Sequence, residues 1–216
     1  GSAPVVLLDT DPARLFVVRS GWTGLDGSEL ALRPAPGTTD RTLAPGAADV
    51  SASFVATSAD GVTLRRTFTL PRGSYALQVR DEVANAGAAP WTGLVYRQIL
   101  RDPPVQPSGL TNPDAFTLSG AAWYSPEEKY EKRKYPDFIE DGPLDRQVTG
   151  GWVALSQHYF LAAWVPQKDQ AALYSLGADG PVHRIEARGP QVTLAPGQRF
   201  ASEATLWLGP KLAEQL

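Results

Sequence analysis

Residues 51–83 hold the pattern that most narrows what this chain can fold into. Asp60-Gly61 separates Ser51–Thr57 from Val62–Leu70, and an Asp-Gly pair favours the positive φ of a hairpin turn. Beyond it, Val62, Leu64, Phe68 and Leu70 alternate with Thr63, Arg65, Thr67 and Thr69. Tyr75, Leu77, Val79 and Val83 then alternate with Ser74, Ala76, Gln78, Arg80 and Glu82. A period of two sends successive side chains to opposite faces, one toward a core and one toward solvent. Arg66 and Asp81 fall on the inward faces and interrupt them.

The same reading extends along the chain. Leu15–Val18, Glu29–Leu32, Ala115–Tyr124, Gly151–Gln157, Tyr159–Val165 and Gln198–Leu208 read as strands. Ala171–Leu176 and Val182–Ala187 bracket Gly177-Ala178-Asp179-Gly180, a second hairpin signal. Trp91–Leu100 alternates less cleanly, as expected of a strand covered on both faces. Residues 101–114 carry four prolines and no periodicity and read as a loop. Gly150-Gly151 reads as a turn or bulge. With 43% hydrophobic residues available for a core, the 20 Gly and 19 Pro signify turns, not disorder.

Helix signals are confined to two places. Ser125-Pro126-Glu127-Glu128 matches a capping box, and Pro136 would end that helix after two or three turns at most. Gly209–Leu216 places Pro210 at a first helical position and spaces Leu212 and Leu216 by four, predicting a helix from about residue 210. No repeat or linker divides the chain. The expectation is an all-β fold, a large antiparallel β-sandwich in one domain over 3–216, with short helices, one at the C-terminal end. Gly1-Ser2 reads as a cloning remnant.

Reactive groups are scarce. The chain has no Cys and two His, which removes disulfides, thiolate sites and cysteine nucleophiles. It lacks a G-x-S-x-G elbow and a phosphate-binding P-loop. No apolar run reaches the about 18 residues of a membrane span. His158 reads as a packed structural histidine and His183 as an exposed strand residue. Glu127, Glu128, Asp137, Glu140, Asp141 and Asp145 could pair for glycosidic chemistry, but their polar stretches lack the apolar surroundings a general acid requires. No catalytic residue, metal ligand or cofactor site is assigned.

Trp152, Trp164 and Trp207 lie in apolar runs and read as core, whereas Trp22, Trp123 and Tyr124 are the candidates for exposure. The one basic cluster comprises Lys129, Tyr130, Lys132, Arg133, Lys134 and Tyr135, with Glu131 among them. It reads either as a docking patch for an acidic partner or lipid headgroups, or as a solvated edge strand whose lysines block sheet-to-sheet association. The net charge of −3 and the acidic residues beside the cluster argue against nucleic acid.

Four segments make the chain recognisable: Phe116–Ala122, Glu127–Lys132, Gly150-Gly151-Trp152-Val153-Ala154-Leu155, and Gln157–Pro166. Together with Leu206-Trp207-Leu208-Gly209-Pro210-Lys211, they resemble the large periplasmic domain of the bacterial YidC membrane-protein insertase family. The resemblance implies a β-supersandwich similar to galactose mutarotase, preceded by one transmembrane helix and followed by a five-helix insertase core. It implies a non-enzymatic periplasmic module on the inner membrane that needs no cofactor. Its implied partners are SecDF, other Sec translocon subunits and nascent inner-membrane proteins. The expected contact face is Trp123, Tyr124, Lys129, Tyr130, Lys132, Arg133, Lys134 and Tyr135. Pro210, Leu212 and Leu216 would form the helix leading to the membrane core. The alternative is a carbohydrate-binding or mutarotase-like sugar protein; against it, His158 and His183 have no carboxylate nearby in sequence.

Overall fold

The computed structural model describes residues 6–38, 41–103, 119–156 and 159–211. Six strands form one antiparallel sheet: β1 (Phe16–Gly24), β6 (Trp91–Arg101), β9 (Asp145–Thr149), β12 (Ala171–Asp179), β13 (Val182–Arg188) and β14 (Val192–Leu194). They run in the order β1-β6-β13-β12-β9, with β14 also on β6. The facing sheet has nine strands. Its first half is β2 (Arg33–Pro34), β3 (Asp49–Thr57), β4 (Val62–Pro71) and β5 (Ala76–Asn85). Its second half is β7 (Gly120–Ser125), β8 (Lys129–Lys134), β10 (Trp152–Ser156), β11 (Phe160–Pro166) and β15 (Arg199–Pro210). The order is β2-β3-β4-β5-β15-β11-β10-β7-β8, which leaves β8 as one edge.

The strands over 51–83 form where the period-two pattern predicts, whereas Glu29–Leu32 makes only an isolated bridge from Glu29 to Thr23; two apolar clusters fill the space between the sheets. One gathers Trp22, Leu64, Val83, Val95 and partly buried Phe200. The other gathers Val79, Ile99, Trp164, Ala204 and partly buried Phe68 and Val18. A polar layer separates them. On each strand its member lies between a residue of one cluster and a residue of the other: Ser20 on β1, Arg66 on β4, Asp81 on β5, Arg97 on β6 and Ser202 on β15. The register pairs Arg66 with Asp81, Asp81 with Ser202, and Ser20 with Arg97. The two interruptions in the sequence pattern therefore meet as partners across adjacent strands. β6, expected to be covered on both faces, alternates cleanly once Arg97 and Arg101 count among its buried residues.

The β3–β4 connection is a loop over 58–61 closed by Ser58 N–H to the Val62 carbonyl at 2.8 Å. Only Gly61, at φ +84, takes the left-handed conformation. The helix expected from Ser125 needs correction. Ser125 ends β7, and its Oγ accepts from the Glu128 N–H at 3.0 Å, so the capping bond forms inside a hairpin turn. The chain then turns back at Lys129, φ 65, into β8. Pairing β8 along β7 over six positions makes more backbone hydrogen bonds than one capped turn offers. Among the described residues the α-helix is instead α1 (Asp137–Glu140), with Pro136 at its N-cap, opening a helix where it was expected to end one. Pro210 is the last residue of β15 and pairs with Phe160, not a helical first position. Leu212 and Leu216 lie outside the described residues, as do His158 and most of the expected loop over 101–114.

Candidate functional site

On the outer face of the nine-stranded sheet, cross-strand register builds a trough from small residues. Ala122 on β7 lies opposite Ala154 on β10, and Ala154 opposite Ala163 on β11. Ala122 and Ala154 floor a depression where larger side chains would stand flush, while Ala163 packs with Leu161 and Trp207 and is wholly covered. Trp207 on β15 faces Ala163 and closes one end, while Lys132 on β8 faces Ala122 at the other. Beside this floor a second row holds Tyr130, Tyr124 and Trp152, paired on β8, β7 and β10. The Tyr124 and Trp152 rings stack at 6.4 Å and 15°, and Tyr130 leans on Trp152 at 6.0 Å. Leu161 and Val165 continue the apolar lining, and Lys168 and Lys211 stand at the rim of a cavity of about 890 Å³. Partial burial and the nearby Arg101 hold the Lys211 ammonium below the usual lysine range.

Gly150 and Gly151 let the chain enter this face. Gly150 has φ +74, and a Cβ on Gly151 would sit 2.1 Å from the Tyr124 carbonyl oxygen. The turn or bulge expected there is thus a close approach of two backbones under the aromatic row.

The expected contact residues divide between two sides of the sheet. Tyr130, Lys132 and Lys134 are exposed on the edge strand β8, with Lys129 at its start, and Tyr124 is half-buried in the trough wall. Trp123 and Tyr135 are each 5% exposed, so neither is available as a contact. Trp123 points inward because its neighbours Ala122 and Tyr124 point out, and Arg133 lies over its ring at 5.8 Å. Arg133 also donates to the Gly142 carbonyl at 2.6 Å, pinning the segment after α1. Tyr135 is enclosed by Phe138 and His183. Burial pushes its hydroxyl up to about 12, with Arg101 opposing.

Other aromatics and both histidines also bear on the expectations. Trp22 is fully buried and donates its indole N–H to Asp81 Oδ2 at 2.9 Å, a correction to its expected exposure: the flanking glycines reflect close packing, not an open loop. Trp152 is half-buried on the trough, whereas Trp164 and Trp207 are buried as expected. His183 is half-buried beneath α1, 5.0 Å from the Tyr135 and Phe138 rings, with Nδ1 3.0 Å from the Pro181 carbonyl. It is not the exposed strand residue its sequence position suggests, because α1 folds back over it. Among the described residues no group of three or more His, Cys, Asp and Glu could hold a metal ion. The site offers apolar area, aromatic faces and lysine charge.

No helix of the described residues is long and apolar enough to cross a membrane. The fold resembles a GH36 α-galactosidase from Geobacillus stearothermophilus (TM-score 0.54, 12% identity, 88% of this chain and 30% of that one). It also resembles a galactose mutarotase related enzyme from Lactobacillus acidophilus (TM-score 0.53, 12% identity, 86% of this chain and 74% of that one). At such identities the likeness concerns the fold, and it bears out the expected supersandwich. The chain is 50% identical over 216 residues to the membrane protein insertase YidC of Xanthomonas axonopodis pv. citri, and 47% identical over 221 residues to that of Stenotrophomonas maltophilia. Each alignment takes in 98% of this chain and 38% of the relative, so the chain spans well under half their length. The family model for the YidC periplasmic domain matches residues 1–216. By that match and those identities, the chain belongs to the YidC periplasmic domain family, the periplasmic part of a bacterial inner-membrane insertase.

Proposed function

We propose that residues 3–216 act as one non-catalytic interaction module that helps the insertase insert and fold inner-membrane proteins. In this reading the β8 edge docks Sec accessory subunits such as SecDF, and the trough shelters apolar segments of nascent membrane proteins. The observation that carries it is the trough itself: an alanine floor, a row of Tyr130, Tyr124 and Trp152, and a basic edge strand alongside. Small residues give depth, aromatic faces supply apolar area at low entropic cost, and exposed lysines favour an acidic partner.

Two sets of substitutions test the halves separately. Lys132→Glu with Lys134→Glu should weaken co-purification of SecDF with the full-length insertase while leaving the fold intact. Unchanged co-purification would remove the β8 edge. Tyr130→Ala with Trp152→Ala should reduce crosslinking of a nascent membrane protein to this domain about tenfold, the loss expected from two aromatic contacts. Equal crosslinking would remove the trough. Saturable sugar binding on a glycan array, or anomerisation of glucose, would favour the carbohydrate reading instead.

A further inference from the structure

We propose that one end of the sandwich is a contact surface for the lipid bilayer. Strand register defines that end. β1 begins there at Phe16, which bridges to Asp9 and pairs with Arg101 at the end of β6. Arg101 pairs with His183 at the start of β13, which packs under α1. In the other sheet, β15 ends there at Pro210 beside Phe160, and the Lys211 N–H donates to the Tyr159 carbonyl at 3.0 Å. β5 starts there: the Leu208 N–H donates to the Tyr75 carbonyl at 3.0 Å. The Arg101 charge, on the other sheet, is near enough to lower the Lys211 ammonium, which puts these strand ends at the same end of the sandwich. The first and last described segments therefore lie at the same end of the sandwich.

The exposed apolar side chains are unevenly distributed. Of the nine large hydrophobics exposed among the described residues, Val6, Leu8, Leu70, Tyr75, Ile139 and Tyr159 belong to segments at this end. Ile139 and Tyr159 are 77% and 70% exposed. Scattered exposed apolar residues need no explanation, but their concentration around one end does. Aliphatic side chains mixed with tyrosines suit the boundary between headgroups and acyl chains, where a tyrosine keeps its hydroxyl wet and its ring dry.

The occupant follows from the relatives. The chain matches 38% of their length, and in such a relative the rest would join near these two segments, on this side. A periplasmic domain of a membrane protein insertase has the membrane as its neighbour. The charges here carry both signs, with Lys134 and Lys211 against Asp9, Asp137 and Glu140. Attachment is therefore by apolar insertion and should withstand salt, unlike binding by a basic patch.

The chain has no cysteine, which makes a site-specific probe straightforward. Ile139→Cys and, at the opposite end, Leu25→Cys each receive an environment-sensitive fluorophore. The labelled chain is tethered by a flexible tail to vesicles of phosphatidylethanolamine and phosphatidylglycerol carrying brominated acyl chains. The expected result is a blue shift and bromine quenching at position 139, retained in high salt and missing at position 25. Adding Leu8→Asp and Tyr159→Asp should lower the inserted fraction about tenfold. No quenching at 139, equal quenching at both positions, or the same shift on concentrating the chain without vesicles would overturn the proposal. The last outcome would point to a second copy of the chain.

Discussion

Arg66 and Asp81 stand opposite each other on β4 and β5, both buried, with the guanidinium Nε and Nη2 2.6 and 2.7 Å from the two carboxylate oxygens. The remaining nitrogen donates to the Ser20 carbonyl at 2.6 Å, and Trp22 donates to the same carboxylate. This fork joins both sheets through groups that have almost no water around them. Removing one partner strands the other charge in that setting. Asp81→Ala should cost about 3–5 kcal/mol in urea unfolding, and Arg66→Ala a similar amount. Replacing both together, with Arg66→Met and Asp81→Leu, should cost clearly less than the sum of the single losses. Additive losses would show that the two side chains act independently.

High pH should unfold the protein through its tyrosines. Tyr135 is pushed up to about 12 by burial, Tyr96 to about 12 by burial and the Glu29 carboxylate that accepts its hydroxyl, and burial raises Tyr174 further. Unfolded tyrosines ionise near 10. The folded state thus binds more protons between these values, and the stability these groups supply is present below pH 10 and lost as pH rises toward 12. Arg97, held down to about 10 by burial, and Lys211, lowered by partial burial, work in the opposite direction, but they are two groups against these three tyrosines and Tyr130, which burial also raises. The expected observation is tyrosinate absorbance that rises in step with loss of the far-ultraviolet signal above pH 10. Tyrosinate formation near pH 10 in a chain that stays folded would contradict it.

The Gly150-Gly151 step should separate two kinds of glycine requirement. Gly150→Ala adds a Cβ with ordinary contact distances at φ +74, so its cost is the left-handed backbone, about 1–2 kcal/mol. Gly151→Ala drives a methyl into the Tyr124 carbonyl at 2.1 Å, with Val148 Cγ1 at 2.7 Å behind it. Backbone must move, so the loss should exceed that at Gly150 and reach about 3 kcal/mol. The Tyr124–Trp152 stack should shift with it, visible in tryptophan fluorescence. Equal thermal unfolding of the two variants would refute the distinction.

The sandwich was legible in the sequence because a half-buried strand writes its two faces as alternating letters. Val62, Leu64, Val79 and Val83 point inward as their spacing predicts. Arg66 and Asp81 looked like defects because they lie 15 residues apart, and only strand register reveals that each is the other's partner. The capping box was present and its bond forms, but local signals compete with pairing, and the six-residue ladder to β7 prevails. The basic cluster was read in two ways, and its place as the exposed edge strand follows the second; that position leaves docking open. Trp123 and Tyr135 were beyond reach, since burial of Tyr135 depends on the α1 turn that follows it folding back and on His183 arriving from β13. The trough floor was hidden for the same reason: Ala122 and Ala154 become neighbours only across two strands 32 residues apart in sequence.

The adjacency of the first and last described segments has a mechanical consequence. A polypeptide that enters beside Phe16 and departs beside Phe160 spans little distance across the whole sandwich, so tension along the backbone bypasses most of its strands. A pull applied between those two segments loads the Phe16 and Phe160 end of the sandwich and leaves the far cluster of Trp22, Leu64 and Val83 outside the line of force.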